Sequence, residues 1–209
     1  METIEIELDK IEHFSKVPEM KPFVGANYLS ADKKILIIGE SHFFDHEPKN
    51  EHPKCNTSPT VWYSYEEKIP AEKLEYINTR KSVKNPTHKF YQNLAAVLSE
   101  NLKIEKSSVL ENISFMNAFQ RPANHRGVSM EVYAGEKDFV VSKNTILEVI
   151  KILKPNYVIF VSKYSWRKIG VNVKALVDCN IDFTSHPNSV EWSDSSNLDG
   201  KQKFVTILN

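Results

Sequence analysis

Short apolar runs rich in β-branched residues recur along this chain, and between them lie longer stretches whose apolar residues fall three and four apart. The runs at 35–38, 113–117, 157–161 and 181–184 have the length and composition of buried strands, and 204–208 is a candidate fifth. THKFYQNLAAVLSENL sets Phe90, Leu94, Val97, Leu98 and Leu102 on one helical face, with Thr87 placed to cap its start. SKNTILEVIKILKP predicts a second helix from Ser142, with Pro155 as its stop. Strands alternating with helices predict an α/β fold of three layers, α/β/α. Its central sheet is four-stranded and mainly parallel, or five-stranded if 204–208 joins it. Residues 43–70 hold four prolines and no sustained period, so a long loop is expected there, containing VWYSY at 61–65.

At 209 residues the chain is expected to form a single domain over 1–209. Its 27 Lys and Arg balance 27 Asp and Glu, which removes any global electrostatic case for nucleic acid. Charge is unevenly placed. Six basic residues and no acid lie between 151 and 177, either a solvated helix face or a local patch, whereas Glu191, Asp194 and Asp199 make the tail acidic. Cys55 and Cys179 are too few for a disulfide framework, a four-cysteine zinc site or an iron–sulfur cluster, so no cofactor and no metal are expected. The start METIEIELDKIEHFSKV has no basic or apolar leader region, and no stretch approaches the ~18 apolar residues of a membrane span. A cytoplasmic monomer with no membrane association is the expectation.

In open α/β sheets ligands sit beyond the carboxyl ends of the strands, so the polar residues after each run belong together. They are Gly39, Glu40, Ser41 and His42 after the first; Asn117, Gln120 and Arg121 after the second; Ser162, Lys163 and Trp166 after the third; and Ser185, His186 and Asn188 after the fourth.

The ordered set ILIIGES, SFMNAFQRP, ILKPNYVIFVSK and TSHPNSVEW resembles the uracil-DNA glycosylase superfamily, from about Ile35 to Trp192. The resemblance implies a glycosylase-like fold and cleavage of the N-glycosidic bond of a flipped uracil-type base, in single-stranded or uracil-containing DNA. It assigns catalysis to Glu40, Ser41 and His186. It assigns substrate contacts to Gly39, His42, Phe43, Trp62, Asn117, Ser185 and Asn188. Asn117 matches the amide that reads the base, since one carboxamide offers both a donor and an acceptor. His186 matches the donor to the departing base. Phe43, Trp62 and Tyr63 are alternative aromatic floors.

Departures from the family pattern are specific. Ser41 stands where the best known branch carries a water-positioning Asp, with Glu40 as the nearest substitute, and His42 stands where proline is usual. Val190 takes the wedge position beside Glu191, with Asp194 nearby, where carboxylates repel phosphates.

Three other readings are open. A catalytically inactive relative would keep the fold and bind a base or nucleotide. GES also resembles the GDS block of flavodoxin-like esterases, with Ser41 as nucleophile and His186 oriented by Asp182, although D-x-x-x-H is one residue longer than that family's D-x-x-H. A metal held by Glu40, His42, His46, His52 and His186 is the third.

Overall fold

The computed structural model describes residues 2–43, 58–66, 68–123, 128–193 and 200–209. Five strands form one sheet: β1 (Phe23–Val24), β2 (Ile35–Gly39), β3 (Ile113–Asn117), β4 (Tyr157–Phe160) and β5 (Asn180–Phe183). Their spatial order is β1-β3-β2-β4-β5, with β1 antiparallel to β3 and the other neighbours parallel. β2 is apolar along its length and buried on both faces, as a central parallel strand must be.

Alternation along β2 builds two cores. Ile35 and Ile37 join Phe115, Ile159 and Val161 beneath the Lys89–Leu102 and Gly200–Leu208 helices. Leu36 and Ile38 join Met116, Val158, Phe160 and Ile181 on the opposite face, beneath the Glu136–Leu153 helix and the helical turns at 163–174. The result is the three-layer α/β/α arrangement.

The expected strand at 204–208 is instead part of the Gly200–Leu208 helix. Phe204 and Leu208 lie four residues apart, so a helix places both on one face, where they are fully buried. The fifth strand is β1, too short to leave a period in the sequence. Thr87 does not cap the helix that begins at Lys89, because its hydroxyl donates to Asn85 Oδ1 instead. The second helix begins at Glu136, where the Asp138 carboxylate accepts from the Gly135 N–H, and ends where Lys154 turns left-handed before Pro155. β4 and β5 each stop one residue short of the expected bounds, although Val161 and Thr184 still donate to the neighbouring strand. Within the expected loop, Pro59–Trp62 forms a helical turn capped by Ser58, and 44–57 and 67 lie outside the described residues.

The connection from β2 to β3 passes Trp62 and Tyr63 on one face and returns through the Lys89–Leu102 helix on the other, and the turns at 163–174 connect β4 to β5 on the face of Trp62. The helix that leads into β3 and the turns that follow β4 therefore lie on opposite faces, the arrangement in which open α/β sheets take ligands at the carboxyl ends of their strands. Among the described residues, no helix is long and apolar enough to cross a membrane.

Candidate functional site

Gly39 ends β2 in register with Asn117 at the end of β3. A Cβ on Gly39 would lie 2.4 Å from Asn117 Oδ1 and 2.9 Å from Phe115 Cζ, so the missing side chain is what makes room for the Asn117 amide. Asn117 is 8% exposed, and its amide has no hydrogen-bond partner among the described residues.

Aromatic rings surround that amide's side of the sheet. Phe115 meets Phe90 edge-on at 5.7 Å and Tyr91 at 5.1 Å, and the His186 ring packs on Phe90 with centroids 5.0 Å apart. A chain of contacts thus runs from Gly39, flanked by Asn117 and Phe115, through Phe90 to the His186 ring. The helical spacing of Phe90 marks it only as a core residue, and nothing in the sequence separates it from the rest of that stripe.

His186 lies in the loop after β5. Its Nδ1 accepts the Asn188 backbone N–H at 3.1 Å, so in the neutral ring the proton sits on Nε2, which has no partner among the described residues. The residue is solvent-exposed as a whole, but desolvation of the ring lowers its pKa; the Glu40 carboxylate opposes that shift and His88 adds to it. The resulting group is a neutral imidazole with an N–H to donate.

Glu40, one residue past Gly39, is used differently. Its Oε1 accepts from Ser129 Oγ at 2.7 Å and from the Met130 N–H at 2.8 Å, and its Oε2 accepts from Ser162 Oγ at 2.6 Å. The carboxylate bridges the β2 and β4 ends to the segment around 130. A buried Arg121–Asp138 pair reinforces this face: Arg121 Nε and Nη2 donate to the two carboxylate oxygens at 2.9 and 2.8 Å, and Nη2 also donates to Tyr133 O. Gln120 Nε2 donates to Asn117 O and Ala118 O. Arg121 is thus engaged within the protein, whereas Gln120 Oε1 is buried with no partner among the described residues.

The other candidate residues divide as follows. Ser41 is half-buried beside Glu40. His42 is buried, with Nε2 3.0 Å from Thr79 Oγ1, and burial, helped by His88, pulls its pKa down to about 3. It is a neutral histidine inside the fold. Phe43 pairs with Ala123 through an isolated bridge and packs on the core. Trp62 and Tyr63 are buried in the core of the face opposite Phe115, where Trp62 Nε1 donates to Gln120 O and the Tyr63 hydroxyl to Asp138. A cavity of about 290 Å³ beside Trp62, walled by Val17, Pro18 and Leu74 and also by Lys16, Glu19 and Lys68, includes none of Gly39, Asn117 or His186. Ser185 is buried against Gly200, and Asn188 serves the site through its backbone N–H.

The esterase alternative meets the geometry poorly. Asp182 accepts from the Phe183 N–H and pairs with Lys203 at 3.5 Å, while His186 Nδ1 is already taken by a donor. The Ser41–His186–Asp182 triad is not assembled. No cluster of three metal-ligating side chains occurs among the described residues, and His46, His52 and Cys55 lie outside them. At the wedge position Val190 is 84% exposed, and Lys163 Nζ pairs with Glu191 at 2.7 Å; Asp194 lies outside the described residues.

No family model matches the chain, and no curated protein matches it.

Proposed function

We propose that this protein receives an extruded uracil-type base from DNA and cleaves its N-glycosidic bond. The observation that supports the proposal is that the Asn117 amide and the neutral His186 imidazole lie on the face of the sheet that Phe115 and Phe90 share, with the amide and the Nε2–H both without a partner among the described residues. Glycosidic cleavage leaves a base anion and a sugar of oxocarbenium character, and each needs a group suited to it. The Asn117 amide offers a donor and an acceptor to the edge of a pyrimidine. The His186 Nε2–H stabilises the negative charge on the departing base, and a preorganised donor in such a role contributes roughly 3–4 kcal/mol. Phe90 supports the His186 ring.

Glu40 contributes charge rather than a free base. Three donors occupy its carboxylate, leaving about one of its roughly four lone-pair positions for a water. Its negative charge still favours a cationic sugar nearby. At the rim, Lys163 neutralises Glu191 beside Val190, which removes one source of repulsion against a phosphate backbone.

The engagement of Glu40 also favours a second reading, a protein that binds a base without cleaving anything. Release of uracil from single-stranded and G·U-containing oligonucleotides, at low salt, separates the two. Uracil release that both Asn117→Ala and His186→Ala abolish supports the glycosylase. Tight binding of uracil-containing strands without release supports the binder, and neither release nor binding overturns both.

A further inference from the structure

We propose that Asn93, on the Lys89–Leu102 helix, is the positioning residue that fixes the His186 imidazole as its Nε2–H form. The inference rests on the reading of His186 as the donor to the departing base and adds the group that holds it in that role.

Asn93 is half-buried, and its Nδ2 donates twice, to Pro187 O at 2.8 Å and to Asn188 Oδ1 at 3.1 Å. Pro187 O can only accept, which settles the orientation of the Asn93 amide. Both contacts hold the two residues that follow His186. The Asn188 N–H, carried by the same short turn, is the donor to His186 Nδ1, and Ser189 closes the turn by donating its N–H at 2.8 Å and its hydroxyl at 2.7 Å to His186 O. Asn93 therefore acts on the imidazole through the backbone of the loop.

Helical spacing gives this arrangement its economy. Phe90 and Asn93 are three residues apart and share a face, so one helix supports the imidazole ring with Phe90 and grips the loop with Asn93. The helix itself is anchored in the core by Leu94, Val97 and Leu98. Without the Asn93 grip, residues 187–188 lose their tie to the sheet's flank, and an imidazole without the Asn188 N–H is free to protonate Nδ1. The two tautomers then compete, and only one presents Nε2–H.

The test is nitrogen NMR of the imidazoles in the full-length protein, without substrate, comparing wild type with Asn93→Ala and the milder Asn93→Ser. In the wild type the His186 ring is expected as the Nε2–H tautomer by at least tenfold. Asn93→Ala is expected to give comparable amounts of both tautomers, and an apparent His186 pKa that moves up towards 6.5 as the ring loosens; Asn93→Ser falls between. Glu40 and His88, the titratable groups that act on His186, are unchanged in these variants, and the buried His13 signal reports that the fold is intact. Asn188→Ala keeps the backbone N–H and is expected to keep the wild-type tautomer. A His186 spectrum in Asn93→Ala indistinguishable from wild type overturns the proposal, whether or not the protein releases uracil. In the uracil-release assay, Asn93→Ala is expected to lower kcat at least tenfold with little change in KM.

Discussion

Gly39 and Glu40 are neighbours in sequence, yet they serve opposite purposes at the end of β2. On Gly39's side an absent side chain makes room for the Asn117 amide, and Asn117 and His186 each keep hydrogen-bonding capacity uncommitted among the described residues. On Glu40's side the polar groups are consumed by one another: Glu40 by Ser129, Met130 and Ser162, and Arg121 by Asp138 and Tyr133. Buried polar groups that satisfy one another hold a structure, whereas those left partly unsatisfied at a surface crevice are available to a ligand. An acid at a strand tip is not thereby a catalyst; its partners decide.

Disrupting the braced side should cost stability most. Asp138→Ala leaves the buried Arg121 guanidinium without its carboxylate, and a loss of roughly 3–5 kcal/mol in denaturant unfolding is expected. Acid acts on the buried histidines next. His13 and His42 are held neutral by burial, with pKa values down at about 3 against 6.5 when unfolded. The unfolded chain therefore binds more protons between those values, so stability is full above 6.5 and falls as pH drops from 6.5 towards 3. The slope is up to about 1.4 kcal/mol per pH unit for each histidine. A pH series of urea midpoints checks this, and His42→Asn should flatten the slope by about half.

Smaller effects sharpen the contrast further. Glu40→Ala strands two hydroxyls and one N–H, and a loss of roughly 1–3 kcal/mol is expected. Gly39→Ala forces a Cβ against Asn117 and Phe115, with an expected cost of roughly 1–3 kcal/mol and loss of base binding. Asn117→Ala should change stability least, within about 0.5 kcal/mol, because its amide has no hydrogen-bond partner to lose among the described residues. A strongly destabilised Asn117→Ala would break the comparison.

β2 and β4 are legible as compact apolar runs, β3 and β5 as short segments placed between helical patterns, and the Lys89–Leu102 helix by its regular stripe. The end of the chain was misread because FVTIL is rich in β-branched residues, while the burial of Phe204 and Leu208 four apart decided the matter in favour of a helix. Asn117 and His186 were legible as strand-end residues. The bracing of Glu40 was not, since its partners Ser129 and Ser162 lie 89 and 122 residues away. Nor was the role of Phe90, because a residue that completes a core stripe and one that backs an imidazole look alike in one dimension.

The most direct test of the central claim is the single-turnover rate of uracil release from a single-stranded oligonucleotide, measured side by side for wild type, His186→Ala, Asn117→Ala and Glu40→Gln. The account predicts that the wild type releases uracil, that the first two variants lose at least 100-fold, in line with removal of a preorganised donor, and that Glu40→Gln loses less than tenfold. A Glu40→Gln variant that is dead beside a His186→Ala variant that still works would place the chemistry on the braced side and contradict it.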